Sequence, residues 1–310
     1  MNIRKGNDED VPKIIELLRV SLGESMIPKS EILWNWKHVA NPFGKSPVLV
    51  AEEGDRLLGV RAFLKWEFQS GGKIRKACRA VDTAVHPEFQ GQGLFIKLTL
   101  GLIESLNENG VDFIYNTPNA SSTPGYMKMG WEKWGKLPLK LDFHLSVGKN
   151  NHTLEPENWD TISELVAKIE DSKHAENQTN LKPGYLKWRY SDCPLFPYYF
   201  LTDQQHYLLF YRIKEGKMGR EIRITDLFTL EEFQDSDKKQ ICNQLKVIQK
   251  LSGARFTSFS GLRYLEQNAI SLGILPILKA GPEVTLRKVN PDFDPFAQNW
   301  KWSLGDLEVF

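Results

Sequence analysis

The stretch that decides the fold is Val85-His86-Pro87-Glu88-Phe89-Gln90-Gly91-Gln92-Gly93-Leu94-Phe95, which joins a predicted strand to a predicted helix. Its glycines let the backbone turn sharply and approach a ligand closely. The first amide groups of the following helix have no partner inside the helix, and they lie at the positive end of its dipole. The turn and the helix start therefore predict a binding site for phosphate groups.

Two common phosphate-binding signatures are excluded by the spacing. Ile96 occupies the position of the third glycine of a dinucleotide-binding fingerprint, and the Gly44-Lys45-Ser46 string is not a P-loop because Val39 stands where the pattern requires its first glycine. The surrounding elements of the sequence must therefore indicate which phosphate ligand binds at this turn.

Outward from this turn, the first half alternates between helical and strand periodicity. Strands are predicted at 2–4, 48–52, 57–68, 73–85 and 111–115, and helices around 11–22, 29–39 and 94–106. A short helix then leads to Met129-Gly130-Trp131, and a polar linker follows from Val147 to Pro156. This order predicts a mixed, mostly antiparallel α/β (α+β) sheet flanked by helices, in a first domain of residues 1–146.

The second half repeats much of this order. Helices are predicted at 159–171, 182–190 and 238–251, and strands at 198–201, 206–213, 221–228 and 254–259. In addition, Leu33-Trp34-Asn35-Trp36-Lys37 resembles Leu186-Lys187-Trp188-Arg189-Tyr190. We therefore expect an internal duplication, with a second domain of residues 156–310; two unrelated domains are the alternative.

Composition excludes several classes of function. Of 310 residues, 41% are hydrophobic and 25% charged, and 40 basic against 39 acidic residues give a formal charge of +1. This charge leaves no large attraction for nucleic acid or an anionic membrane. The acidic start of the chain is unlike a signal peptide, which favours the cytoplasm. Cys78, Cys193 and Cys242 are too few and too far apart for a disulfide framework or a metal cluster.

The glycine-rich turn resembles motif A of the GNAT acetyltransferases, Arg/Gln-x-x-Gly-x-Gly/Ala, with Gln90 first and Gly93 central. Phe95 departs from the small residue of that pattern. Either its bulk keeps the pyrophosphate from the helix start, or its ring faces the core while its amide points at the ligand. The resemblance covers about the first 145 residues in the family's order of elements.

Motif B of the same family is similar to residues 116–131, Asn-Thr-Pro-Asn-Ala-Ser-Ser-Thr-Pro-Gly-Tyr-Met-Lys-Met-Gly-Trp. Tyr126 stands at the family's tyrosine, and Asn119 and Ser122 fall where the resemblance implies further cofactor contacts. The same residues would also suit a capped short helix without any function, with Pro124 in its first turn.

The resemblance implies that acetyl-CoA or another acyl-CoA is the cosubstrate. Its pantetheine would pair with backbone groups of Ala84, Val85 and His86, and residues 90–95 would hold the pyrophosphate. A small-molecule primary amine would attack the thioester directly, and Tyr126 would protonate the leaving thiolate. No metal is implied, and the sequence identifies neither the acceptor nor the oligomeric state.

Three groups are candidates for the base that takes the amine proton. Asp82 lies in the predicted strand 73–85 and could reach the acceptor through water. His86 titrates near neutral pH but precedes a proline. The terminal carboxylate of Phe310 is the third candidate, by analogy with multi-domain acetyltransferases of the enhanced-intracellular-survival type.

The second half has an acidic segment where the first half has its glycine-rich turn. Residues 228–237, Phe-Thr-Leu-Glu-Glu-Phe-Gln-Asp-Ser-Asp, carry four carboxylates and no glycine. Carboxylates would repel a phosphate, so a single active site is expected and the second domain is given an acceptor-pocket or structural role. A non-catalytic acyl-CoA sensor and a tandem-GNAT aminoacyl transferase of cell-wall precursors are the alternative functions.

Overall fold

The computed structural model describes residues 1–23, 27–144, 155, 158–172, 176–231, 233–263, 270 and 273–308. The chain forms two compact units. The first comprises residues 1–135 and 283–299, and the second comprises residues 136–282 and 300–309. Each unit therefore uses two separate pieces of the sequence.

The amino-terminal piece supplies six strands and four α-helices of the described structure. The strands are β1 (Asn2–Lys5), β2 (Val48–Glu53), β3 (Arg56–Ser70), β4 (Lys73–Val85), β5 (Phe113–Asn116) and β6 (Glu132–Lys136). The helices are α1 (Val11–Leu22), α2 (Glu31–Trp34), α3 (Leu94–Glu108) and α4 (Thr123–Lys128). A π-helix, Asn35–Val39, continues α2, and short 3₁₀ turns cover Asp8–Asp10 and Pro87–Phe89.

The rest of the chain supplies the remaining described elements. The strands are β7 (Leu139–Phe143), β8 (Gln178–Thr179), β9 (Tyr199–Thr202), β10 (Tyr207–Gly216), β11 (Gly219–Thr229), β12 (Phe256–Ser260) and β13 (Glu283–Lys288). The helices are α5 (Ser163–Asp171), α6 (Asp235–Ser252) and α7 (Leu304–Leu307), with a 3₁₀ turn at Trp159–Ile162 and a second π-helix at Lys187–Ser191.

The sheet of the first unit has the order β1-β2-β3-β4-β5-β13-β6. Strands β1 to β4 pair antiparallel, β4 and β5 pair parallel through the crossover helix α3, and β13 pairs antiparallel with β5. The long β3–β4 hairpin turns at Gly71 and Gly72, whose φ values of 62° and 68° suit glycine.

Helix packing follows the apolar pattern of the sequence. The buried face of α1 carries Val11, Ile14, Ile15 and Leu18, which pack on the sheet among residues such as Val60. Gly59 in β3 lets α3 come close, because a Cβ at this position would lie 2.8 Å from Leu98 Cδ1. Helices α1 and α3 thus flank the sheet of the first unit, as the sequence predicted.

The sheet of the second unit has the order β7-β12-β11-β10-β9. Strands β9 to β11 pair antiparallel, β11 and β12 pair parallel across α6, and β7 pairs antiparallel with β12. The succession of three antiparallel strands, a helix and a parallel strand is that of β2-β3-β4-α3-β5. A π-helix precedes this succession in each unit.

The predicted fold class is confirmed: both sheets are mixed and mostly antiparallel, and helices flank them. The expected domain limits, 1–146 and 156–310, differ from the two units. The reason is that β7 pairs with β12 in the second sheet, whereas β13 pairs with β5 in the first. Among the described helices, none has the length and apolar content needed to cross a membrane.

Candidate functional site

A cavity of about 590 Å³ opens in the first unit where β4 and β5 separate. The two strands are paired from Ala77 to Arg79 on β4, and these described strands share no pairing beyond that point. The residues that follow on each strand line the cavity, namely 80–85 and 116–119. The edge of β4 that faces the cavity therefore has backbone groups available for an extended ligand.

The glycine-rich turn brings the start of α3 to this cavity. Gly91 and Gly93 have φ values of 75° and 77°, in the left-handed region that favours glycine. Gly93 is the N-cap of α3, and no side chain accepts a hydrogen bond from the first turn of the helix. Apart from the chain neighbours, no atom lies within 4 Å of a Cβ built on either glycine, so nothing packs against the turn on that side.

Gln90 and His86 hold the turn in place. The Gln90 side-chain amide donates to the Val85 carbonyl at 3.1 Å, and Gln90 lines the cavity. His86 is directed elsewhere: its amide donates to the Leu58 carbonyl at 2.8 Å, and its ring lies 2.8 Å from Arg56 Nη2. His86 is not among the residues that line the cavity.

The two residues that open α3 are anchored by their side chains. Leu94 is buried against Leu98 and the sheet. The Phe95 ring packs on Gly125, where an added Cβ would lie 3.0 Å from Phe95 Cε1, and it meets the Tyr126 ring edge-on at 5.6 Å. The bulk of Phe95 is thus accommodated by a glycine on α4.

Tyr126 lies on α4, with its side chain buried and its surface forming part of the cavity wall. Arg61 Nη1 donates to Tyr126 Oη at 3.0 Å. Before α4, Asn119 Oδ1 accepts a hydrogen bond from the Ser122 amide at 2.9 Å, which orders the loop at the cavity rim. Asn119 and Ser122 therefore stabilise the loop and line the cavity at the same time.

Asp82 sits in a β-bulge of β4. The pairing with β3 passes from Arg61–Thr83 to Ala62–Val81, so Asp82 is the extra residue, and its φ of 41° is rare for a residue with a side chain. Asp82 is one of the residues that line the cavity. Bulges of this kind re-aim a side chain near functional sites.

The Asp82 carboxylate is held by two residues of the first π-helix. Oδ2 lies 2.7 Å from Lys37 Nζ and 2.8 Å from His38 Nε2, and His38 Nδ1 lies 2.9 Å from Ser46 Oγ. Burial alone would raise the pKa of Asp82, but Lys37 and His38 outweigh it, so this pKa lies well below its usual range. Burial lowers the pKa of Lys37 and that of His38, partly opposed by Asp82.

The structure brings most of the predicted site residues to one cavity. Its wall includes Asp82, Ala84, Val85, Gln90, Phe95, Asn119, Ser122 and Tyr126. Gly91, Gln92, Gly93 and Leu94 lie in the adjoining turn and helix start, and the Gln92 side-chain amide donates to the Glu88 carbonyl. The predicted base Phe310 lies outside the described residues.

Sequence reasoning missed Arg61, Lys37 and His38. Arg61 is a single charge within the apolar run Leu57-Leu58-Gly59-Val60-Arg61-Ala62-Phe63-Leu64, which is a detectable signal because buried arginine needs compensation. Lys37 and His38 follow two tryptophans in a predicted helix, and this pattern indicates their burial only weakly. The bulge at Asp82 that brings these groups together leaves no mark in the residue pattern.

The corresponding place in the second unit is built differently. Helix α6 begins at Asp235, and Asp237 Oδ2 accepts the Gln234 amide at 2.7 Å. Asp237 also comes within 4.8 Å of Asp203 and His206, a possible set of metal ligands in the described part of the chain. However, Asp203 already accepts the His206 amide at 2.8 Å, so these carboxylates act as caps of a turn and a helix.

Comparisons with known proteins agree with this geometry. Residues 2–134 match the family model of an acetyltransferase (GNAT) domain. A GCN5-related N-acetyltransferase from Anabaena variabilis ATCC 29413 is 16% identical with a TM-score of 0.67, over 93% of this chain and 73% of that one. A probable N-acyltransferase from Enterococcus faecalis V583 is 12% identical with a TM-score of 0.69, over 93% and 72%.

A third similar structure is Eis1 from Mycobacterium abscessus, 13% identical with a TM-score of 0.59, over 93% of this chain and 73% of that one. No curated protein sequence matches the chain. At these identities the likeness to solved structures shows a shared fold, which extends over nearly the whole chain.

Proposed function

Residues 2–134 belong to the acetyltransferase (GNAT) domain family, and on that premise we propose that the protein is an N-acyltransferase. It transfers an acetyl group from acetyl-CoA to a primary amine of a small-molecule acceptor, in the cytoplasm. The observation that carries the proposal is the uncapped start of α3 beside the cavity between β4 and β5. Free helix amides and an open strand edge are the groups that a pyrophosphate and a pantetheine amide require.

These two features support a proposed position for the acyl donor. The first-turn amides of α3, with the space in front of Gly91 and Gly93, would hold the pyrophosphate. The pantetheine would pair with the free edge of β4 near Ala84 and Val85. Because the His86 amide already donates to Leu58, the pairing would stop short of this residue. Another acyl-CoA would bind in the same way.

The reaction would be a direct attack of the neutral amine on the thioester carbonyl. Backbone donors at the strand edge would stabilise the oxyanion, a large contribution in acyl transfer. Tyr126, at the cavity wall, would give its proton to the leaving thiolate. No covalent intermediate on the enzyme is needed.

We propose that the Asp82 carboxylate binds the amine group of the acceptor. Its low pKa keeps it ionised at neutral pH, so it attracts and orients an ammonium group. The same low pKa makes it a weak proton acceptor, and the amine proton would pass through Asp82 to water. Phe310 stays the alternative base, and extending the chain beyond residue 310 tests it: unchanged turnover would exclude the terminal carboxylate.

The second unit is proposed to bind no acyl-CoA and to have an acceptor-binding or structural role. The Asp237 carboxylate accepts the N-cap amide of Gln234, and the acidic first turn of α6 would repel a pyrophosphate. We therefore propose that the first unit is a catalytic GNAT domain and the second unit a degenerate GNAT-like domain, with the exchange of β7 and β13 shifting their limits from the expected 1–146 and 156–310.

Calorimetry with CoA, followed by thiol release from acetyl-CoA in the presence of an amine panel, tests the proposal on the full chain. We expect one CoA site per chain and amine-dependent release of free thiol. Binding without turnover on a broad panel would favour a sensor, and turnover only with an aminoacyl-tRNA donor would favour the cell-wall aminoacyl transferase. Absence of CoA binding at high protein concentration would refute the assignment.

A further inference from the structure

Arg61 is a buried cation in the first unit that the proposed reaction has not used. Its side chain is 0% exposed, although it projects from the middle of β3. Among the described residues, no carboxylate forms an ion pair with it. Burying a charge without a partner is costly, so a purely structural arginine would be expected to have one.

Aromatic rings surround the guanidinium in place of a carboxylate. Its Cζ lies 4.5 Å from the ring centroid of Phe63, 5.5 Å from that of Tyr126 and 5.8 Å from that of Phe95. Cation–π attraction offsets part of the desolvation cost. Nε and Nη2 are buried and have no hydrogen-bond acceptor in the described structure. The positive charge of Arg61 is thus only partly compensated.

The remaining nitrogen of Arg61 reaches the cavity wall. Nη1 donates to Tyr126 Oη at 3.0 Å and to Thr83 Oγ1, and Tyr126 and Thr83 both line the cavity. A guanidinium can only donate, so Tyr126 Oη must accept this hydrogen bond. Within the described residues, the hydroxyl proton of Tyr126 has no acceptor of its own, which leaves it for a ligand in the cavity.

We infer that Arg61 is a positioning residue for acyl transfer, which directs the Tyr126 proton towards the CoA sulfur and stabilises the oxygen left behind. This inference rests on the proposed function. In the step, the C–N bond forms as the C–S bond breaks, and the amine proton leaves towards Asp82 and water. The sulfur takes the Tyr126 proton to give CoA thiol, and the phenolate stays hydrogen-bonded to Arg61 until solvent reprotonates it.

Arg61→Gln tests the inference by a split between kcat and KM. We expect kcat to fall by about tenfold to a hundredfold, because a charged hydrogen bond to the general acid is lost. The KM for acetyl-CoA should change by less than about twofold, since the phosphates bind at α3. Full kcat in Arg61→Gln would overturn the inference, as would a rise in KM that accounts for the whole loss.

A double variant separates action through Tyr126 from a general structural effect. If Arg61 acts through Tyr126, Arg61→Gln combined with Tyr126→Phe should be as slow as Tyr126→Phe alone, within about twofold. Multiplicative losses would overturn the inference. Arg61→Lys keeps the charge and should retain more kcat than Arg61→Gln. If Arg61→Gln does not fold, Arg61→Lys should instead retain more kcat than Arg61→Ala. Added guanidinium ion should partly restore Arg61→Ala.

Arg189 of the second unit offers a matched control. It is also 0% exposed, lies 5.1 Å over the Tyr198 ring and donates to Tyr198 Oη at 3.1 Å. Arg189→Gln should lower the melting temperature and leave kcat unchanged. Wild-type protein that neither binds CoA nor turns over would refute the proposed function, whereas turnover that is indifferent to Arg61 would refute only this inference.

Discussion

The starts of α3 and α6 differ although the two helices occupy the same place in their units. Each follows the third strand of an antiparallel series and leads to a parallel strand. The start of α3 has a left-handed Gly93 and no side-chain cap. The start of α6 has an acidic first turn, and its Asp237 accepts the Gln234 amide.

The comparison indicates that the first helical turn, and not the shared topology, determines whether a unit can bind a phosphate ligand. An α-helix always begins with amides that need acceptors. In the second unit the Asp237 carboxylate accepts the N-cap amide of Gln234. In the first unit the N-cap is Gly93, which has no side chain to act as a cap, and nothing beyond its chain neighbours lies within 4 Å of a Cβ built there. Four experiments test this difference between the two helix starts.

The largest effect is expected for Tyr126→Phe. Loss of the general acid should lower kcat by about 10² to 10⁴-fold, with little change in the KM for acetyl-CoA. Tyr207→Phe is the control in the second unit, because Tyr207 is equally buried and donates to Gln244 at 2.8 Å. Steady-state thiol release measures both. Comparable losses in the two variants would show that the contrast between the units does not concern catalysis.

The second experiment gives α3 the cap of α6. Ile96 is the third residue of α3, as Asp237 is the third of α6, and it is 37% exposed. Ile96→Asp should raise the dissociation constant of CoA by about tenfold to a hundredfold, because its carboxylate would occupy the amides and repel the pyrophosphate. Ile96→Asn is the neutral control. Equal CoA affinities of the Asp and Asn variants in calorimetry would contradict the phosphate site.

The third experiment compares two buried aspartates, one on β4 of the first unit and one on β11 of the second unit. Asp82 on β4 has a pKa held well below its usual range by Lys37 and His38. A carboxyl whose pKa is lowered by folding contributes stability above about pH 4, and that contribution is lost as the pH falls. The destabilisation caused by Asp82→Asn should therefore shrink as unfolding is measured at progressively lower pH.

Asp226 on β11 should behave in the opposite way. Burial raises its pKa to about 6, Arg263 opposes the rise and Asp306 adds to it. Its contribution is then fully present below about pH 4 and is lost as the pH rises to about 6. Relative to wild type, Asp226→Asn should gain up to about 1.4 kcal/mol of unfolding free energy per pH unit in this window. Parallel slopes for the two variants would refute the assigned environments.

The smallest effect is expected for Asp237→Asn. Removing the carboxylate that accepts the Gln234 amide should cost about 0.5 to 1 kcal/mol of unfolding free energy. Affinity for CoA should not change. Asp235→Asn is the control, because Asp235 instead pairs with Lys238 at 2.8 Å on the surface. If Asp237→Asn changed CoA affinity as much as Ile96→Asp, the separation of roles between the helices would fail.

Much of the fold could be predicted because it depends on local pattern. The predicted strands 73–85 and 48–52 match β4 and β2 to within one residue, and α3 was predicted from its apolar period. The turn between β3 and β4 carries the pair Gly71-Gly72, which is typical of a tight hairpin turn. The glycine-rich turn before α3 was found for the same reason, since left-handed backbone leaves its mark in the residue type.

The rest of the site depends on contacts between distant residues. The bulge at Asp82 and its pairing with Lys37 join positions 45 residues apart, and nothing in either segment specifies the other. Arg61 and Tyr126 are 65 residues apart. The strand β13 beside β5 was missed because it lies between the two pieces of the second unit in the sequence and is short, and short strands give weak signals.

Strand β13 has a consequence for how the protein is made. The sheet of the first unit includes residues 283–288 between β5 and β6, so its hydrogen bonding cannot be complete until residue 288 has been translated. Until then, a nascent chain would present bare strand edges at β5 and β6, which are prone to mispairing. The sheet of the first unit is thus completed only after most of the second unit has been synthesised.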